Sequence, residues 1–480
     1  MRDIRDSISD ALDRTITELD SKSPEIQEAF AAKTVPHAPA PAKAFGVPPP
    51  DATRDLIARA KAKLAQIEDK DIHGDFVHTE DPDVALLLSA LESASKQNAA
   101  PKSFATATGE IIGVHKFDAT DPRWILSAVN MVVSEKVPFP YPTGPDDAEV
   151  QLPERDITMG VAGDWGTGLY SSNQIGAFIG SRKPDLALHI GDVYYSGTEE
   201  EVTDKFVHRF PRGTFGTFAL NSNHEMYSGG KGYFNITLKD PDFAAKQSKS
   251  FFSLYNSKWQ LIALDTAYES EKAQLYQNGV IGSEQLGWFT MQLQKAKAAG
   301  RRIAIFTHHN PISVVEKNKQ DTNLIQQILS AASMANSMFD YWFFGHEHAV
   351  AVFEPMLWNH KNVAARCIGH GGIPYPPATL GDKGQGVIAR WTETTCYAVG
   401  KGDPKCALNG FAMYTFPISG ADIVEQYFDD SNNLRYTVTS PFATIPIAAK
   451  SAPAGTNVAA VIDPNAPAAV TPPPTRPESA

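Results

Sequence analysis

Short apolar runs along the middle of the chain end abruptly in polar residues. Ile157 to Ala162 runs into Gly163-Asp164, and Leu186 to Ile190 into Gly191-Asp192. Ile303 to Phe306 runs into Thr307-His308-His309, and Tyr341 to Phe344 into Gly345-His346-Glu347-His348. Short continuous apolar runs of this kind predict strands buried on both faces. Helical periodicity lies between them, over Asn173 to Arg182 and over Ser283 to Ala299. In the second segment Leu286, Phe289, Leu293 and Ala296 share one face, and Gly300 closes the helix. Strands alternating with helices predict a layered α/β fold, with the site at the carboxyl ends of the strands. Phe411 to Phe416, Ile423 to Phe428 and Leu434 to Val438 are further strand candidates. With the rest of 349–440 they are expected to form a second sheet packed on the first.

The N-terminal part follows another pattern. Ile4, Ile8, Leu12, Ile16 and Leu19 recur at helical spacing, so residues 1–34 read as a helical segment. Prolines at 36, 39, 41, 48, 49 and 50 make 35–50 a stiff linker or extended arm. Asp51 caps a further helix with Ile57, Ala60, Leu64 and Ile67, and Asp81-Pro82 opens another. Residues 51–150 are therefore expected to be a helical extension, a cap over the site or a dimerisation element. The domain carrying the chemistry is expected over 151–448, followed by an Ala- and Pro-rich tail at 449–480 that reads as disordered by composition.

Composition narrows the function. The 480 residues are 42% hydrophobic, enough for a large core, and no run is long enough to span a membrane. A net charge of -12 argues against a broad nucleic-acid surface but leaves room for a small phosphorylated substrate held locally by metal ions. Three cysteines exclude a disulfide scaffold or a thiolate zinc module. Cys396 and Cys406 share a short loop and would pair only in an oxidising compartment. The first residues lack the apolar stretch of a secretory signal, so a cytoplasmic location is expected, with non-classical export as the alternative.

Five clusters carry the chemistry: Gly163-Asp164-Trp165-Gly166, Gly191-Asp192-Val193-Tyr194-Tyr195, Asn223-His224-Glu225, His308-His309 and Gly345-His346-Glu347-His348. Their carboxylate, amide and imidazole donors suit Zn²⁺, Mn²⁺ or iron rather than a thiolate-seeking metal. His346 and His348 stand two apart at a strand end and so share a face. Each cluster alone fits a turn or a cap; the ordered set points to a metal site.

That ordered set, over about residues 155–375, resembles the calcineurin-like metallophosphoesterase superfamily. Asp164-Trp165-Gly166 puts Gly where most branches carry His, and Gly191-Asp192-Val193-Tyr194-Tyr195 adds a phenol. The paired change is similar to the purple acid phosphatase branch. The resemblance implies an α/β/β/α sandwich and two metal ions per chain. Asp164, Asp192, Tyr195 and His348 would hold one, and Asp192, Asn223, His308 and His346 the other, with Asp192 shared. Tyr194 is the alternative phenol and His309 the alternative imidazole. A charge-rich first site favours Fe³⁺, and the second a divalent ion such as Fe²⁺, Zn²⁺ or Mn²⁺.

The expected activity is phosphomonoester hydrolysis by a metal-activated hydroxide, with His224 as general acid. A phosphodiesterase on the same site is the alternative, and a dead scaffold of this fold the reading from another class. Glu225 is expected to orient His224 rather than react, and His309, Glu225 and His370 are candidates for substrate contact. Ser222 replaces the family's Gly, which would strain the turn if that position needed a glycine-only conformation.

Overall fold

The computed structural model describes residues 134–139, 148–272, 275–313, 321–373, 375, 389–397 and 406–442. It also describes the backbone pairing of β1 (Ile72–His73) with β2 (Phe76–Val77) and of β3 (Phe104–Ala105) with β4 (Ile111–Ile112). Apart from these pairs, the helices expected before residue 134, the linker at 35–50 and the tail at 449–480 lie outside the described residues.

Two sheets form the body. β6 (Ile157–Ala162), β7 (Leu186–His189) and β8 (Gly216–Ala219) run parallel. β17 (Gly410–Phe416), β18 (Val424–Asp429) and β19 (Leu434–Val438) extend them antiparallel, in the order β19-β18-β17-β6-β7-β8. The larger sheet has a parallel centre of β10 (Trp259–Leu264), β11 (Arg302–Thr307), β12 (Tyr341–Phe344) and β15 (Lys361–Ile368). β5 (Glu149–Gln151) and β9 (Phe252–Tyr255) flank it on one side. β13 (Val350–Phe353), β14 (Met356–Trp358) and β16 (Ala389–Thr392) complete it on the other.

The expectation that 349–440 forms the second sheet is corrected here. β13 to β16 join the sheet of β11 and β12, whereas β17 pairs with β6, some 250 residues earlier in sequence. Each sheet thus draws on both halves of the domain.

Burial on both faces explains the runs. All four residues of β12, Tyr-Trp-Phe-Phe, are buried, as are all four of β7. Helices α1 (Tyr170–Ser181), α2 (Ser283–Ala298) and α3 (Thr322–Ala335) accompany the parallel strands. In α3 the Asp321 carboxylate accepts the Leu324 N–H at 3.0 Å, and Asn336 ends the helix in the left-handed conformation. Its buried residues Leu324, Ile325, Ile328, Ala331, Ala332 and Ala335 repeat at helical spacing.

Two contacts fix the layers. Arg366 on β15 makes a fully buried bidentate pair with Glu425 on β18, at 2.5 and 2.8 Å, joining the two sheets. Residues 134–139 cross the body beside the 223–226 turn. There the Val137 N–H donates to Gly229 O at 2.9 Å, the Tyr268 hydroxyl donates to Val137 O at 2.7 Å, and Phe139 stacks on Phe251. Gly229 sits at φ +73, and a Cβ there would stand 2.0 Å from Glu135 O, so glycine is required for this approach.

Candidate metal centre

Five parallel strands from the two sheets deliver the polar residues to one place. Asp164 follows β6, Asp192 follows β7, Asn223 follows β8, His308 follows β11, and His346 and His348 follow β12. Asp164, Asp192 and His346 adopt positive φ, at 55°, 76° and 68°. The left-handed region is uncommon for non-glycine residues, and such outliers cluster at functional sites.

Asp192 stands between two groups of donors. Its Oδ2 faces the Tyr194 hydroxyl at 2.7 Å and His224 Nε2 at 3.7 Å. The same hydroxyl lies 3.3 Å from Asp164 Oδ1 and 3.0 Å from His348 Nε2. Donor atoms of Asp164, Asp192 and His348 all lie within 4.8 Å of one another. On the other side Asp192 Oδ1 faces His308 Nε2 at 3.3 Å. That nitrogen lies 2.8 Å from Asn223 Oδ1 and 3.2 Å from His346 Nδ1, and the last two are 3.1 Å apart.

Tautomers make the second group informative. His308 Nδ1 lies 2.8 Å from the Ile190 carbonyl, which can only accept, so Nδ1 carries the proton and Nε2 of the neutral ring is bare. The Asn223 amide nitrogen donates to the Tyr227 hydroxyl at 3.0 Å, leaving Oδ1 turned inward. Bare His308 Nε2 thus faces the Asn223 carbonyl oxygen and the Asp192 carboxylate. Lone pairs converging at these distances in a buried place fit a cation.

Electrostatics agree. Burial pushes the Asp164 carboxyl well above its ordinary range, and the Asp192 charge adds to this. Burial opposes ionisation of Asp192 as well, but the His224, His308 and His346 imidazoles and the Ser222 hydroxyl hold it well below that range. Burial lowers His308, lowers His346 strongly and brings His348 to about 4, a direction that favours the neutral, metal-ligating form of the rings.

Residues 157–350 match the model of the family described as Calcineurin-like phosphoesterase. Among solved structures, this chain is similar to one titled GAP50, the anchor in the inner membrane complex of Plasmodium. The two are 14% identical, the match covers 60% of this chain and 90% of that one, and the TM-score is 0.43. It is also similar to a dimetal phosphatase from Danio rerio, at 13% identity, covering 59% of this chain and 98% of that one with a TM-score of 0.37. No curated protein matches the chain.

The site brings together Asp164, Asp192, Asn223, His224, His308, His346 and His348, and other residues singled out in the sequence lie differently from expectation. The phenol touching Asp164 and Asp192 belongs to Tyr194, not Tyr195. The Tyr194 N–H bonds Gly166 O at 3.0 Å, which sets this residue against the first Asp loop. Tyr195 contributes its carbonyl, which lies 2.7 Å from His224 Nδ1, while its ring packs under Lys205.

His309 is not available to substrate. It is buried, with Nε2 2.7 Å from the Tyr276 carbonyl and Nδ1 2.7 Å from Thr266 Oγ1, so both nitrogens are used. His370 is also buried, and its carbonyl is bonded by the Gly410 N–H and the Asn409 amide. It holds the 369–372 turn, away from solvent. The Glu225 carboxylate accepts the Ser222 hydroxyl, and burial, with the Asp192 charge beside it, raises its carboxyl to about 8. Ser222 is unstrained at φ -141, an extended conformation any residue adopts. Its hydroxyl accepts the N–H of Asp192 at 3.1 Å and of His224 at 3.2 Å, a tie glycine would lack. Cys396 and Cys406 are free thiols.

Proposed function

We propose that this protein hydrolyses phosphate monoesters at a two-cation centre. Metal-dependent phosphoester hydrolysis is the activity the family match supports. The observation carrying the finer reading is the position of Asp192, with Oδ2 on the Tyr194 hydroxyl that also meets Asp164 and His348, and Oδ1 on His308 Nε2, which also meets Asn223 and His346. Asp164, Tyr194 and His348 would hold one cation and Asn223, His308 and His346 the other, with Asp192 shared. Cations held there supply Lewis acidity toward phosphoryl oxygens and lower the pKa of coordinated water.

The chain's own groups do the rest. Burial and the Asp192 and Asp164 charges keep the Tyr194 phenol protonated well above its ordinary range. It therefore gives up its proton only against a strongly charged cation, which favours Fe³⁺ in that position and a divalent ion in the other. His224 Nδ1 is held by the Tyr195 carbonyl, which leaves Nε2, beside Asp192 Oδ2, as the nitrogen that would carry a transferable proton. From there it passes to the leaving alkoxide oxygen.

The test combines elemental analysis, a visible spectrum and turnover of a nitrophenyl phosphate monoester and its bis-ester. About two metals per chain with iron, a broad visible band lost in Tyr194→Phe, and preference for the monoester are expected. Preference for the bis-ester would replace the monoester reading with a phosphodiesterase. Metal-free protein inactive after metal addition would leave a scaffold.

A further inference from the structure

Outside the metal-facing residues, an ion pair grips the loop that presents both Tyr194 and the Tyr195 carbonyl. Glu201 ends the short helix Glu199–Glu201, and Lys205 lies one turn on. Lys205 Nζ donates to Glu201 Oε1 at 2.9 Å and also to the Tyr194 carbonyl. The Glu201 carboxylate accepts the Tyr195 N–H at 2.5 Å and the Ser196 N–H at 2.9 Å. Thr198 closes the unit, its hydroxyl accepting the Glu201 N–H at 3.2 Å in a capping box. The side chains are part-buried, at 24% exposure for Lys205 and 19% for Glu201.

Capping alone would need only the Thr198 and Glu201 contacts. Here the same carboxylate reaches past the cap to Tyr195 and Ser196, and a lysine takes the carbonyl between. What leaves this gripped segment toward the site is the Tyr194 hydroxyl, against Asp192, and the Tyr195 carbonyl, on His224 Nδ1. Orientation of a proton donor is sensitive to shifts well under 1 Å.

We infer that Glu201 and Lys205 are positioning residues for the general acid, fixing the His224 ring through the Tyr194–Ser196 backbone. The inference rests on the acid role proposed for His224. Neither side chain touches substrate. Loosening the grip lets the Tyr195 carbonyl move and turns the Nε2 proton away from the leaving oxygen, while the donors from β6, β8, β11 and β12 stay in place.

The experiment compares Glu201→Gln and Lys205→Met with wild type at matched metal content, on two monoesters. Nitrophenolate leaves without a proton, whereas the alkoxide of an alkyl phosphate requires one. Turnover of the alkyl ester should fall about 10-fold and that of the nitrophenyl ester less than about 3-fold, with KM little changed. Lys205→Arg, which keeps the cation, should restore both rates. If Glu201→Gln fails to fold, Lys205→Met gives the same readout. Equal losses on the two esters, or none, overturn the inference. Wild-type protein that turns over neither ester overturns the proposed function and the inference with it, so the two failures are distinct.

Discussion

His189, the last residue of β7, packs its ring 4.4 Å from Phe206 and 5.3 Å from Phe210. Neither ring nitrogen has a partner among the described residues. Burial holds its pKa at about 3, against an ordinary value of 6.5. Below pH 6.5 the unfolded chain takes up a proton that the folded state refuses. Stability is therefore full above that pH and is lost as pH falls toward 3. His189→Phe removes this penalty. The variant should exceed wild type in stability at neutral pH, and the gap should widen by roughly 3 kcal/mol by pH 4. Denaturant titrations at both pH values check this, and a constant gap would refute it. The residue scale also shows where sequence reasoning stops. The motif spacing selects Tyr195, yet which of two adjacent phenols faces the carboxylates depends on how the loop lies against Gly166. His308 and His309 likewise differ only in what surrounds them, a metal-facing cluster for one and Thr266 and Tyr276 for the other.

Elements were legible where their burial was uniform. β6, β7, β11 and β12 stand out because both faces are covered, so their runs are unbroken. β10 is equally buried, but Gln260 interrupts its pattern; that side chain donates to Gln292 on α2 at 2.7 Å, a partner 32 residues away. α3 carries its own boundary signals, the Asp321 N-cap and the left-handed Asn336. Between elements, the buried Arg366–Glu425 pair links the two sheets, with Tyr427 donating its hydroxyl to Glu425 at 2.7 Å. Glu425→Ala strands a buried guanidinium and should cost about 3–5 kcal/mol. Arg366→Met with Glu425→Leu should recover most of that loss, because the buried charges go together. Thermal unfolding of the single and double variants decides it; a double variant no better than the single would show that the pair itself, not its imbalance, sets the stability.

At the scale of the whole molecule, the centre joins two sheets that share no strand, and Asp164 and Asp192 lie buried within it. Burial first and the Asp192 charge second raise the Asp164 carboxyl, and a cation between the two would relieve both. Cations binding only the folded state should stabilise it by about 4 kcal/mol at a thousand times their Kd. Chelation should lower Tm by several degrees, reversibly on metal addition, and Asp192→Asn should weaken retention of both metals. An unchanged Tm after proven metal loss would deny the centre its structural role. The sequence by itself determined the strands buried on both faces, the order of the metal-capable residues and the donor chemistry, because these depend on residue type and local spacing. Only the tertiary structure decided which sheet each later strand joins and which phenol meets the carboxylates. It also decided which histidines stay free to ligate and what holds the acid in line. Those outcomes depend on hydrogen-bond partners 30 to 260 residues apart, such as Ser222 with Asp192 and Phe416 with Ile157, that no local pattern encodes.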